Sequence, residues 1–378
     1  MKQMAESLLY KQLGVKKIQC LACQRQCIIN DQQVGFCLAR QNLGGALESL
    51  LYGQITGIQA DPIEKKPFYH FKPGSLVATI GSWGCNFRCK QCLNYANSWG
   101  ATEELKKLKE EREKGKITKA LAAKKIAQTI VDGGYDGIAF SYNEPTIWAE
   151  FAADIAREFK SLSTNQLTHS PINRYAVFIT NGSWTRQTID LLSSPLLPTP
   201  GSPSTTHSLI DAANIDIKGF CEETYKKMGA YLGIIPEAAV YAQKKGIFLE
   251  LTTLLIPGIN DDPDELRDLA QWIVKDLGPD TPWHLSQYDP LLAPDREFQK
   301  IPFTTAEQLK RAASIGEKAG LHHIYIWAPQ AGCNRSDTIC PNCRNIVIKR
   351  AGGWQPLEIN IKKTGHCQFC NFKLNVIL

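Results

Sequence analysis

Gly84-Cys85-Asn86-Phe87-Arg88-Cys89-Lys90-Gln91-Cys92 decides how this chain is read. The stretch follows an apolar run over residues 76–80 and sets three thiols at C-x3-C-x2-C spacing. Three cysteines within eight residues can wrap one face of a small iron–sulfur cube, which leaves a fourth iron without a protein ligand. An open iron can take a cofactor or substrate, whereas a structural site is closed by four protein ligands. The same thiols could instead join a distant fourth ligand in a zinc knuckle. We read the stretch as the active site.

The whole chain bounds what such a site can serve. Its 378 residues suit one large domain with appendages, or two domains. Hydrophobic residues make up 43% and charged residues 21%, the balance of a soluble protein with a sizeable core. The formal charge of +6 is mild and the basic residues are scattered, so no nucleic-acid partner is expected. No apolar run approaches the ~20 residues of a membrane span, and no membrane partner is expected. Residues 1–14 lack the apolar stretch of a signal peptide, carry Glu6, and read as a short amphipathic helix. A cytoplasmic location is expected.

In a reducing compartment the thirteen cysteines are not expected to pair as disulfides. They fall into Cys20, Cys23, Cys27 and Cys37; Cys85, Cys89 and Cys92; and Cys340, Cys343, Cys367 and Cys370, with Cys221 and Cys333 single. The outer groups can each close a tetrahedral site unaided, and the central group cannot. The first group reads as a compact knuckle in which Gly35 turns Cys37 back toward the others, for zinc or an auxiliary cluster. The last has the two-knuckle spacing of a zinc ribbon or rubredoxin-like site, for zinc or iron, in a segment too short for a core of its own.

Between these groups the chain repeats strand and helix. Residues 48–58 alternate loosely as a strand pair, and 67–75 read as a rigid turn in which His70 packs among aromatics. Residues 102–116 are mostly charged and read as a solvated helix or an excursion. Thr118 is placed to cap a helix through 126–131. Short apolar strands follow at 137–141, 175–180, 213–218, 246–255, 283–288 and 322–327, with helices between them at 147–159, through 192, through 225 and 238, at 263–277 and at 306–320. Such a series predicts a parallel sheet covered by helices, with the chemistry at the C-terminal strand ends. Those ends carry the cysteine loop, Asn143-Glu144, Thr180-Asn181, Asp216 and Lys218, Thr253, and His284. Residues 161–173 and 193–208, rich in Ser, Thr, Pro and Asn, read as surface loops.

The cysteine loop after a first strand resembles the signature of the radical S-adenosylmethionine (SAM) superfamily. Cys20 to Cys37, His70-Phe71-Lys72-Pro73-Gly74, the central loop, Ser141-Tyr142-Asn143-Glu144-Pro145, Thr180-Asn181-Gly182, Asp216-Ile217-Lys218, Leu255 to Asp261 and the closing cysteines form an ordered set. That set is similar to the AmmeMemoRadiSam system radical SAM enzymes, relatives of the enzymes that activate glycyl-radical proteins such as pyruvate formate-lyase. The resemblance implies an α/β fold with a partial (βα)6 barrel, a [4Fe-4S] cluster on Cys85, Cys89 and Cys92, and SAM on the open iron. It divides the chain into an N-terminal cysteine segment (1–66), the barrel (67–330) and a C-terminal metal-binding segment (331–378). It places Asn143 and Glu144 at the SAM ammonium, Thr180 and Asn181 at the ribose, Asp216 and Lys218 at the carboxylate, and His284 near the cofactor.

The implied activity is that of an oxidoreductase which cleaves SAM reductively and generates a 5′-deoxyadenosyl radical for hydrogen abstraction, with a protein as candidate substrate. The implied partners are an electron donor such as flavodoxin or ferredoxin, and Memo-like and AMMECR-like proteins. One position departs from the common pattern: Gln91 stands where an aromatic residue often precedes the third cysteine. The competing reading is a non-catalytic zinc or iron–sulfur scaffold on the same fold.

Overall fold

The computed structural model describes residues 7–114, 123–162, 174–195 and 208–378. The expectations for Thr118 and for most of the two polar insertions lie outside these residues.

The strands assemble into one eight-stranded sheet. Its order is Ile324–Trp327, Trp283–Gln287, Phe248–Leu255, Ala212–Asp216, Tyr175–Thr180, Gly137–Phe140, Leu76–Gly81 and Gly57–Pro62. Every neighbouring pair is parallel except the last, which is antiparallel. The parallel run therefore has seven strands, one more than a six-fold repeat, the extra one being Ile324–Trp327. Gly57–Pro62 covers the free edge of Leu76–Gly81, although it lies before the boundary expected at residue 67.

The helices form for local reasons that the sequence displays. Thr305 and Gln308 make a reciprocal capping box before Ala306–Ala319, and Gly320 ends that helix with φ +105°. Asp262 caps Pro263–Trp272 by accepting from the N–H groups of Asp264 and Glu265. Apolar rings cover the sheet, as where Trp148 of the turn Pro145–Trp148 meets the strand residue Phe140 with ring centroids 5.5 Å apart. Burying each such ring contributes about 2–3 kcal/mol.

Residues 67–71 cross the N-terminal ends of the strands and are tied there by Glu250, which is fully buried. Glu250 accepts from the backbone N–H groups of Tyr69 (3.0 Å), His70 (2.8 Å) and Phe71 (3.1 Å), and sits 2.7 Å from His284 Nε2. His70 packs as its aromatic setting implies, with Nε2 2.7 Å from the Tyr325 hydroxyl and Nδ1 2.7 Å from the Asn375 carbonyl.

Of the helix expected over residues 1–14, residues 1–6 lie outside the described residues, and the rest differs from it. Tyr10–Gly14 is a strand paired antiparallel with Lys17–Cys20, which in turn pairs with Ile28–Asn30. Leu8 is exposed while Leu9 is buried, and the pairing of Tyr10 with Cys20 ties this segment to the first cysteine group. The strand pair expected over 48–58 is instead Arg40–Leu43 with Ala46–Ser49.

The C-terminal segment forms a three-stranded sheet over a small core that includes Val347, Ile348 and Leu374. It closes on the barrel floor: buried Arg350 donates to the Tyr69 carbonyl at 2.7 Å, and Ile377 bridges Phe71. No helix among the described residues is long and apolar enough to cross a membrane.

Candidate active site

At the C-terminal ends of the strands lies a cleft with about 830 Å³ of empty space. Cys85, Cys89, Cys92, Asn143, Glu144, Thr180, Asn181, Asp216 and Lys218 all line it. Residues spread over more than 130 positions of sequence thus meet in one place, because each follows or ends a parallel strand.

The cysteine loop is fastened from several sides. Asn143 Oδ1 accepts from Ser82 N–H (3.0 Å), and its amide donates to the carbonyls of Trp83 (3.2 Å) and Gly84 (3.1 Å). Asn181 donates to Asn86 Oδ1 (2.8 Å), and Asn86 donates to the Ser183 hydroxyl (2.6 Å). Below the loop, Arg88 N–H donates to Gly229 O and Lys90 N–H to Met228 O, both at 3.0 Å. Gly229 has φ +79°, and a Cβ there would stand 2.2 Å from the Arg88 carbonyl. Only glycine suits that approach.

Burial pushes the Cys85 thiol well above its ordinary value and Cys89 up to about 12, and it raises Cys92 as well. Ser98 Oγ lies 3.1 Å from Cys92 Sγ and opposes that rise. Such thiols give up their protons to a bound metal and not to water.

Glu144 is held by Thr146 N–H (3.0 Å), the Thr180 hydroxyl (2.6 Å) and Asn181 N–H (2.8 Å). Burial raises its pKa and these donors oppose the rise. A carboxylate has about four lone-pair sites, and the three bonds leave one for a further donor in the cleft. Thr180 and Asn181 are thereby committed to Glu144 and to the cysteine loop.

Lys218 Nζ is 2.7 Å from Asp216 Oδ2. Burial disfavours its charge, but Asp216 and Cys89 more than offset that, so its pKa is raised and it stays an ammonium. Asp216 Oδ1 has no hydrogen-bond partner. Gln91 is buried on the cleft wall, with Nε2 3.5 Å from Met228 Sδ and Oε1 without a partner.

His284 does not join this cleft. It sits near the start of Trp283–Gln287, and its ring is held by Glu250 and stacked on Tyr325 at 5.1 Å between centroids. A residue at the entry of a strand lies at the opposite edge of the sheet from the cleft, which lies at the exits. Asn86, Ser98, Met228 and Gly229 are the site residues that motif reading missed. Asn86 stood inside the motif and was legible as an amide beside a ligand. Met228 and Gly229 carried no local signal.

The C-terminal thiols converge. Cys340, Cys343, Cys367 and Cys370 have all their sulfurs within 4.8 Å of one another, with Cys340–Cys370 and Cys343–Cys367 both at 3.7 Å. Metal–sulfur bonds of about 2.3 Å give a tetrahedron with edges of about 3.8 Å, so the four fit one ion. Hydrogen bonds from the Asn345 backbone and side chain lower Cys343, and those from Asn342 and Phe372 bring Cys370 down to about 6. Burial pushes Cys340 up to about 12.

A strand series with a three-cysteine loop at its first exit and a lined cleft beyond it is the architecture of a radical SAM protein. The Radical SAM superfamily sequence pattern matches residues 80–273. An uncharacterized protein, MJ0808 of Methanocaldococcus jannaschii, is 31% identical over 379 residues, covering 99% of this chain and 100% of that one. MJ1227 of the same organism, provisionally named a glycyl-radical enzyme activating enzyme, is 25% identical over 259 residues, or 65% of this chain and 87% of its own. Among solved structures, a domain of a pyruvate-formate lyase-activating enzyme from Bacteroides vulgatus overlaps 51% of this chain and 99% of its own, at 16% identity and TM-score 0.38. A radical SAM methyltransferase from Sphaerobacter thermophilus overlaps 66% of each chain, at 16% identity and TM-score 0.43. The chain belongs to the radical SAM superfamily.

Proposed function

We propose that this protein is a radical SAM oxidoreductase that cleaves SAM reductively to abstract a hydrogen atom, acting on a protein as the glycyl-radical activating enzymes do. One observation carries this reading: the cleft lining supplies three cysteines and no histidine, together with two carboxylates, Glu144 and Asp216, and the Lys218 ammonium. The donor set suits a cluster with one iron left open, because neither a fourth cysteine nor a histidine lines the cleft and both carboxylates are engaged, Glu144 by three hydrogen-bond donors and Asp216 by Lys218. When bound there, a [4Fe-4S] cluster would supply the one electron that cleaves the SAM sulfonium to methionine and a 5′-deoxyadenosyl radical.

The chain's own residues divide the remaining work. Cys85, Cys89 and Cys92 hold the cluster. Glu144 offers its remaining lone pair to the SAM ammonium, where a carboxylate forms a strong charge-assisted bond. Lys218, kept charged by Asp216, meets the SAM carboxylate. Thr180 and Asn181 hold Glu144 in place for that contact and stand toward the ribose, and Asn143 braces the loop. Family membership and the ordered motifs favour the AmmeMemoRadiSam group, hence Memo-like and AMMECR-like proteins as partners and flavodoxin or ferredoxin as electron donor. Free thiols in such number fit a cytoplasmic setting.

The test is anaerobic reconstitution, reduction with dithionite, addition of SAM, and chromatography for 5′-deoxyadenosine. Formation of the nucleoside, lost together with the cluster in Cys89→Ala, supports the reading. A full cluster that yields none makes the protein a scaffold. Retention of both cluster and cleavage in Cys85→Ala overturns the site assignment.

A further inference from the structure

The N-terminal cysteines form a site that the proposed reaction does not use. Cys20, Cys23, Cys27 and Cys37 line one small cavity together with Arg40 and Asn86. We infer that these four thiols hold a second iron–sulfur cluster of the cubane class, and not a zinc ion.

Two metal chemistries are written differently in this one chain. The C-terminal group is two C-x2-C pairs whose sulfurs close to the edge of a single-ion tetrahedron. Among the described residues it is the one group of such donors gathered within 4.8 Å. The N-terminal four surround a shared cavity without drawing together in that way. A single ion pulls its sulfurs onto one small tetrahedron, whereas a cubane interposes four irons and four sulfides and holds its thiolates further apart.

The spacing points the same way. Cys20-x2-Cys23-x3-Cys27 spans eight residues, as the central Cys85-x3-Cys89-x2-Cys92 does, with the two intervals exchanged. The fourth sulfur, Cys37, returns after nine residues. This closes the site with protein ligands, which the central loop leaves open.

Cys20, Cys23 and Cys37 are buried, and Arg40 lines the cavity beside them. The loop between Cys23 and Cys27 is tightened by Gln26 N–H donating to Cys23 O, and Cys20 N–H donates to Cys27 O at 2.9 Å. Exclusion of water is one means by which a protein keeps such a cluster intact and sets its potential.

The site also abuts the active-site loop. Asn86 lines the cavity and is bonded directly to Cys85. Gly84 is so close to the Cys37 carbonyl that a Cβ there would stand 3.0 Å from it. Two reduced clusters so placed interact magnetically.

The test does not depend on SAM cleavage. The variant Cys85→Ala/Cys89→Ala/Cys92→Ala is reconstituted without oxygen and its iron, sulfide and zinc are counted, with an electron paramagnetic resonance spectrum of the reduced protein. The expected result is about four inorganic sulfides with four irons in the cluster, besides one zinc or iron at the C-terminal thiols, per chain. Its spectrum is that of a cluster that SAM does not alter. Sulfide-free protein with about two metal ions, or with an empty N-terminal site, overturns the inference. Should the triple variant fail to fold, the intact protein decides: about eight sulfides supports the second cluster, and four sulfides or fewer refutes it. In the intact protein the reduced spectrum is broadened, and Cys20→Ala/Cys23→Ala removes both the broadening and half the sulfide while leaving a SAM-responsive signal.

Discussion

Replacing Asn143 with leucine separates two roles that the amide could play in this cleft. The side chain is similar in volume, so the change removes three hydrogen bonds with little change in packing. Ser82 N–H is left buried without an acceptor, and the carbonyls of Trp83 and Gly84 lose a donor. An orphaned buried group costs about 1–3 kcal/mol, so the loss is about 2–5 kcal/mol in all. Much of it falls on residues 82–84, immediately before the first cluster ligand. Asn143→Leu is therefore expected to lower Tm by on the order of 5 °C and to lower the iron retained by the central loop. The assay is iron and sulfide per chain after matched anaerobic reconstitution, with thermal denaturation and a SAM titration on the same samples. Asn143→Asp, which still accepts from Ser82 but repels two carbonyls, should fall between. Full iron and an unchanged Tm, with only SAM affinity lost, would refute the bracing role and make Asn143 a direct cofactor contact.

Glu144→Gln should keep the fold and weaken SAM binding by about 10- to 100-fold, since it removes a charged acceptor worth about 1.5–3 kcal/mol; equilibrium titration of reconstituted protein checks this. Lys218→Met should likewise weaken SAM binding while leaving iron content unchanged, and a matching loss of iron would show that Lys218 supports the loop instead. Cys343→Ser should remove about one metal ion, zinc or iron, per chain and lower Tm while the inorganic sulfide count holds, because the C-terminal sulfurs lie as close together as the ligands of a single ion. For acid sensitivity, burial depresses His323 from 6.5 to about 4, against the opposing charge of Asp280 and beside His322 and Arg335. A depressed folded pKa means the unfolded chain takes up the proton first, so this contribution is complete above pH 6.5 and lost as pH falls through 4. It amounts to about 3 kcal/mol. Urea midpoints between pH 7 and 4 should fall less steeply in His323→Phe than in the parent.

How much of the site was legible depended on how local its cause was. The C-x3-C-x2-C loop, the strand series and the paired C-terminal cysteines are short-range patterns, and each stands where the spacing implied. Glu144, Thr180, Asp216 and Lys218 were legible because a parallel sheet puts strand exits on one face. His284 was misplaced by the same logic, since one strand carries an entry and an exit and composition does not say which end a residue occupies. Of the helix expected over residues 1–14, the described Tyr10–Gly14 part is a strand instead, set by pairing with Lys17–Cys20, a contact no local propensity reports.

The sequence by itself determined that three thiols stand at C-x3-C-x2-C spacing after a first strand, that a parallel α/β sheet carries them, and that eleven of thirteen cysteines fall into three clusters. These follow from spacing and periodicity, which the chain carries in its linear order. Tertiary structure alone decided that Asn143 braces the loop, that Gly229 supports it from beneath, that His284 belongs at the strand entries, and that the C-terminal sulfurs gather within 4.8 Å of one another. Those outcomes depend on distances between residues far apart in sequence, which only the packed chain sets.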